Sequence, residues 1–151
     1  MAAEPLPRPA GKLYEEDFVE WAEETAHLLR SGRFDQLDVE HLVEEVEAMA
    51  GRDRRELDSR LEVLIHHLLK WQQQPEKRSG SWKSTIFSQR AAIRRLFEQS
   101  PSLRRRLTQS VAAVYRDAVN GAAAETGLPE DSFPAECPFP PAQILDPAFL
   151  P

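Results

Sequence analysis

Arg60 and His67 are the two residues whose types and spacing most directly suggest chemistry. Seven positions apart, they fall on nearly the same face of a helical pattern. An arginine so placed steadies a scissile phosphate through charge-assisted hydrogen bonds, and a histidine, titrating near neutrality, shuttles the proton. The pair therefore sketches phosphodiester cleavage without a metal. The pattern is permissive, since an arginine-rich helix with two histidines often satisfies it. The plainer expectation is a structural His67 that packs on Trp71 and hydrogen-bonds a neighbour, with His66 facing solvent.

Glu24 and His27 have the Glu-x-x-His spacing found in di-iron bundles. A step of about 100° per residue, however, turns His27 and Glu20 away from the Phe18/Thr25 face. It likewise turns His41, Glu44 and Glu45 away from a Val39/Val46 stripe. Ligands of a buried metal converge inward, so these read as solvated acidic faces, and neither metal nor cofactor is expected. Cys137 lies in a proline-rich segment with no base beside it and reads as a packed small hydrophobe. As the single cysteine it allows no intramolecular disulfide, which fits a reducing cytoplasm. The chain has no glycine-rich phosphate loop, Cys/His cluster or nucleophile elbow.

Basic side chains supply a second candidate. Lys83, Arg90 and Arg94 line one flank of a helix beside Phe87, and Arg104, Arg105 and Arg106 open the next. With Lys70, Trp71 and Gln74 they mark out a candidate binding surface for phosphate or for carboxylates. The charge distribution favours carboxylates. Residues 13–50 carry twelve acidic and two basic side chains, a balance of −10, and residues 52–106 carry fourteen basic and six acidic, a balance of +8. From 107 onward one arginine faces six acids. Nucleic acid approaching the basic middle would be repelled by the acidic stretch, whereas acidic and basic segments can pair within the fold or across a dimer.

The elements that must position these residues are helical nearly throughout. Tyr14, Phe18, Trp21, Thr25, Leu28 and Leu29 share one face of a first helix, with Asp17 and Glu20 as a capping box and Gly32 as its exit. A second helix starts from Asp38, carries Val39, Leu42, Val43, Val46 and Met49 inward, and ends at Gly51. A third runs from Asp53 to Pro75 on Leu57, Leu61, Leu64, Leu68 and Trp71. A fourth carries Trp82, Ile86, Ile93, Leu96 and Phe97. A fifth opens at Ser100-Pro101 and closes at Gly127. Seven of twelve prolines lie from 129 onward, so residues 128–151 are expected to wrap over the helices, with one short helical turn at Pro141–Leu145.

The fold class expected is therefore all-α: a single-domain bundle of about five helices over residues 13–151, with the proline-rich tail packed on it. Residues 1–12, with three prolines and no apolar run, read as a flexible lead and not as a signal or anchor. No apolar run approaches the roughly 18 residues that span a membrane.

Several short motifs, in order, resemble a bacterial family of small helical proteins known as domain of unknown function 29. They are Leu13-Tyr14-x-x-Asp17-Phe18 with Trp21; Leu42-Val43-Glu44-Glu45; Arg60-Leu61; and His67-Leu68-Leu69-Lys70-Trp71 with Gln74-Pro75 and Ser81-Trp82. Pro101-Ser102-Leu103, Tyr115-x-x-Ala118, Phe133-Pro134-x-x-Cys137-Pro138 and Leu145-Asp146-Pro147 complete the set. Val43 and Val46 stand where larger aliphatics are expected. The resemblance implies a helical bundle in a bacterial cytoplasm and brings no activity with it. Separately, Arg60 and His67 loosely resemble the Arg-x(4–6)-His pattern of helical ribonucleases of prokaryotic defence systems. The expected function is a non-enzymatic module that binds a protein partner or pairs as a homodimer. The alternative is a nucleic-acid-binding protein or metal-independent ribonuclease using Arg60 and His67.

Overall fold

Asp17 ends one helix and begins the next. Its extended backbone (φ −151°, ψ 94°) breaks the chain direction, and its carboxylate accepts the Glu20 amide at 2.9 Å. The first helix expected from the sequence is therefore two, α1 (Ala10–Glu16) and α2 (Phe18–Arg30). The computed structural model describes residues 10–151, and the first nine residues of the expected lead lie outside them. Ala10, Gly11 and Lys12, expected in that lead, are helical.

The reverse happens at Gly51. Helices expected to stop and restart there form one element, α3 (Val39–Gln73), 35 residues long. A glycine in a helix interior costs only about 0.5–1 kcal/mol against alanine. Good helix formers on both sides outweigh that, and Gly51 has no positive φ to turn the chain. Gly32 and Gly127 do, at +71° and +73°, and each follows the end of a helix. Beyond α3 come α4 (Gly80–Gln99), N-capped by Ser79, then α5 (Leu107–Thr126) and α6 (Pro141–Leu145). Pro101–Arg106, expected as the first turns of α5, form a 3-10 segment. The Ser100 hydroxyl, expected as the cap, instead donates to Asp53 at 3.2 Å. There is no strand among the described residues, so the fold is all-α.

Contacts divide the chain into two units, Met1–Gly51 and Arg52–Pro151. The second holds a continuous apolar core. Leu57, Leu61, Leu64, Ile65, Leu68 and Leu69 are fully buried along α3, with Ile86, Ile93 and Phe97 from α4 and Val111, Tyr115, Ala118 and Ala122 from α5. The tail closes it. Phe133, Phe139 and Ile144 are buried, Tyr115 donates its hydroxyl to the Pro134 carbonyl at 2.7 Å, and the short turn falls at Pro141–Leu145 as its spacing suggests. Cys137 packs half-buried against this core, its thiol pushed up by burial.

The first unit is smaller and more polar inside. Trp21, Thr25 and Leu28 are its buried side chains on α2. Tyr14 packs edge-on to Trp21 and stacks on His41 at 4.1 Å between centroids, and its hydroxyl donates to Glu45 at 2.5 Å. Asp38 accepts from Trp21 Nε1 at 3.3 Å and pairs with His41 Nδ1 at 2.7 Å. This inverts the amphipathic reading of residues 39–50. His41 and Glu45, expected in solvent, face the aromatic packing. Val39, Val43, Val46 and Met49, expected inside, are exposed. The aromatic rings of α1 and α2 bring polar groups that need partners, and the polar edge of α3 supplies them.

Candidate functional site

Two polar arrangements in the second unit draw on the residues singled out in the sequence. The first lies between α3 and α5. Lys70 is only 4% exposed, pairs with Glu125, and sets its ammonium 4.3 Å from the centre of the Trp82 ring. The hydrogen bond from Lys70 holds the Glu125 carboxyl below its ordinary range, with the His66 and Lys70 charges assisting. His66, expected in solvent, is turned inward, its side chain 15% exposed. The reason is Gly121 on α5. A Cβ there would stand 2.7 Å from His66 Nδ1, so only glycine lets the two helices meet around the ring. His66 Nε2 lies 3.4 Å from the Glu125 carboxylate and makes no well-formed hydrogen bond among the described residues. His67 donates its Nδ1–H to the Val63 carbonyl, 2.8 Å away, and stacks on His66 and not on Trp71. Burial lowers the pKa of both imidazoles.

This cluster has charge and a histidine pair but no hydroxyl or thiol nucleophile in hydrogen-bond contact with either ring. Its contacts fasten α3 to α5. Arg60 is not part of it. Seven residues along a helix is a rise of about 10 Å, and Arg60 points its Nε to Glu56 at 2.9 Å and Nη1 to Gln89 at 3.3 Å. Gln74 is buried too, its amide reaching the Thr126 carbonyl at 3.5 Å. Trp71 is covered by Arg78, which also donates to the carbonyls of Trp71 and Pro151. Lys70, Trp71 and Gln74 thus stand apart from the arginines they were grouped with.

The second arrangement is a cleft of about 270 Å³ between α4, the following 3-10 segment and the tail, with Ile93, Phe97 and Leu145 forming its apolar floor. Three guanidinium groups border it. Arg90 is buried and donates through Nε to the Ile144 carbonyl at 2.8 Å and through Nη2 to Gln143 at 3.3 Å. It caps the open C-terminal carbonyls of α6, where a cation is favoured. Burial lowers its pKa, and the nearby Asp146 carboxylate, though not at ion-pair distance, acts in the opposite direction. Arg94 is exposed and only loosely associated with Glu98, at 4.0 Å. Arg104 lies over the Phe97 ring at 5.0 Å. Phe87 stands on the rim, 69% exposed. Lys83 and Arg105 are exposed but do not line the cleft. The cleft wall from Leu145 and Pro147 was invisible in the sequence, because it requires the tail to return over α4.

The first unit presents a third surface, and no pattern in the sequence announced it as a surface. Val39, Val43 and Val46 run along α3 on one line, each followed by a glutamate: Glu40, Glu44 and Glu47. All six are exposed. Eight of the nine large exposed hydrophobic side chains among the described residues belong to this unit.

No group of three or more His, Cys, Asp or Glu side chains among the described residues is arranged to hold a metal ion, and no helix is long and apolar enough to cross a membrane. A family model described as "Domain of unknown function DUF29" matches residues 13–150. No curated protein and no solved structure matches the chain.

Proposed function

Because the chain belongs to the family of domain of unknown function 29, whose description carries no activity, we propose that it is a non-enzymatic protein–protein interaction module. Its docking face is the valine–glutamate stripe of α3 in the first unit. The observation that carries this reading is the inverted packing there. The helix turns its polar edge to Tyr14 and Trp21 and leaves Val39, Val43, Val46 and Met49 outside. Soluble chains scatter single apolar residues over their surfaces, but a row of them on one helix, rimmed by charge, marks a contact surface. Glu40, Glu44 and Glu47 along its edge call for a partner that brings cations to an apolar ridge. The single cysteine, half-buried with its thiol pushed up, suits a reducing compartment such as the cytoplasm.

A photo-crosslinking residue placed at Val43 in the producing cell tests the reading. The expected result is one discrete protein adduct, absent when the same residue replaces exposed Arg116 and lost when Val46→Glu is added. Crosslinking no stronger at Val43 than at Arg116 overturns it.

A further inference from the structure

The surface of the second unit carries one large exposed hydrophobic side chain among the described residues, Phe87. It stands at the mouth of the arginine-bordered cleft. A buried guanidinium with two carbonyl partners forms part of the wall. Arg94, exposed and 4.0 Å from Glu98, and Arg104, exposed over the Phe97 ring, lie on either side. A site with an apolar floor and exposed guanidinium groups at its border fits an apolar side chain flanked by carboxylates. Arg90 is already held by two carbonyls and the nearby Asp146 carboxylate, so the exposed Arg94 and Arg104 are the cations that an entering carboxylate meets.

The same molecule displays that ligand. Along α3, Val39-Glu40, Val43-Glu44 and Val46-Glu47 repeat an apolar side chain beside a carboxylate, and these glutamates make no hydrogen bond or ion pair among the described residues. We propose that the Phe87–Arg94–Arg104 cleft of one molecule takes the valine–glutamate stripe of a second copy. A valine enters the apolar floor beside Phe87, and Glu44 and Glu47 pair with Arg94 and Arg104. The stripe and the cleft are different patches, so a two-fold pair makes the contact twice, once in each direction. Opposite charge on the two patches, −10 over residues 13–50 and +8 over residues 52–106, steers the encounter and makes it dependent on salt. This rests on the reading of the stripe as a docking face and adds the partner's identity.

Light scattering during size-exclusion chromatography of the full chain, at low and high salt with absorbance at 260 and 280 nm, reads the outcome. At low salt we expect twice the monomer mass, with dissociation strengthened about tenfold or more by high salt. The doubly reversed variant R94E/R104E and the doubly reversed variant E44R/E47R should each be monomeric while keeping wild-type circular dichroism. Mixed in equal amounts they should recover the dimer, because both contacts then join opposite charges again. A wild type that stays monomeric at every concentration overturns the second copy as occupant. The docking-face reading then still rests on crosslinking at Val43. A dimer indifferent to both charge reversals also overturns the proposal. So does a species rich in 260 nm absorbance that R94E/R104E abolishes, since the cleft would then serve phosphate.

Discussion

Gly121 shows how much one missing side chain decides. It is a mid-helix glycine, which propensity alone would replace with alanine for a gain of about 1 kcal/mol. The His66 ring occupies the space a Cβ needs, at 2.7 Å. Gly121→Ala should therefore lower stability by about 1–3 kcal/mol, the range for an overpacked core contact. His66→Ala should remove most of that penalty, since the two substitutions share one contact. Thermal denaturation of the two single variants and the double variant closes the cycle. An additive double variant would show that the ring is not what Gly121 accommodates. None of this was legible beforehand. Angular stepping placed His66 in solvent because it counts only the apolar residues of its own helix. A glycine on another helix, more than fifty positions on, is what draws it inward.

At the level of elements, the leucine ladder of α3 and the exits at Gly32 and Gly127 followed from spacing and from the left-handed conformation that glycine tolerates. The cap at Asp17 followed as well, but the separation of Tyr14 from Phe18 that it makes did not, and the stop expected at Gly51 is absent. Asp17 reads as a cap, but a cap inside a helical pattern splits it only if the chain turns there. Gly51 reads as a stop, but it stops a helix only with positive φ. The tail was legible as a tail, and even its turn at Pro141–Leu145, yet its anchor was misfiled. Arg90 was grouped with surface cations, whereas it holds the carbonyls of Gln143 and Ile144. Arg90→Met keeps the apolar stem and removes both bonds, so it should cost about 2–3 kcal/mol. Hydrogen exchange should localise the effect to α6 and residues 146–151. Protection there equal to wild type would mean that the apolar anchors Phe139 and Ile144 suffice.

Across the whole molecule the two units should answer pH in opposite directions. In the first, the hydrogen bond to Asp38 raises the His41 pKa above 6.5. Its contribution is full below 6.5 and is lost as pH rises through the raised value. In the second, burial lowers His66 and His67 below 6.5. Their contribution is full above 6.5 and drains away as pH falls towards the lowered values. Acidification through this window should strengthen protection in α2 and weaken it at the contact of α3 with α5. Among the four histidines, the Hε1 resonance of His41 should show a midpoint above 6.5 and those of His66 and His67 midpoints below it. Uniform midpoints would remove the basis of the split. The smaller polar core of residues 10–51 should also exchange faster than the leucine core at any pH.

The continuity of α3 has a consequence for the order in which this protein takes shape. A ribosome adds about 5–20 residues each second, from the N-terminus onward. The Val–Glu stripe is therefore translated before the buried leucines of the same helix. A short helical segment alone is marginal, because its first turn is costly to form. The buried leucines from Leu57 to Leu69 must wait for the later α4 and α5 that cover them. The stripe's part of α3 packs instead on Tyr14 and Trp21, which have already been translated when it is made. The proposed docking face thus has its packing partners in the chain before the leucine core has all of its own.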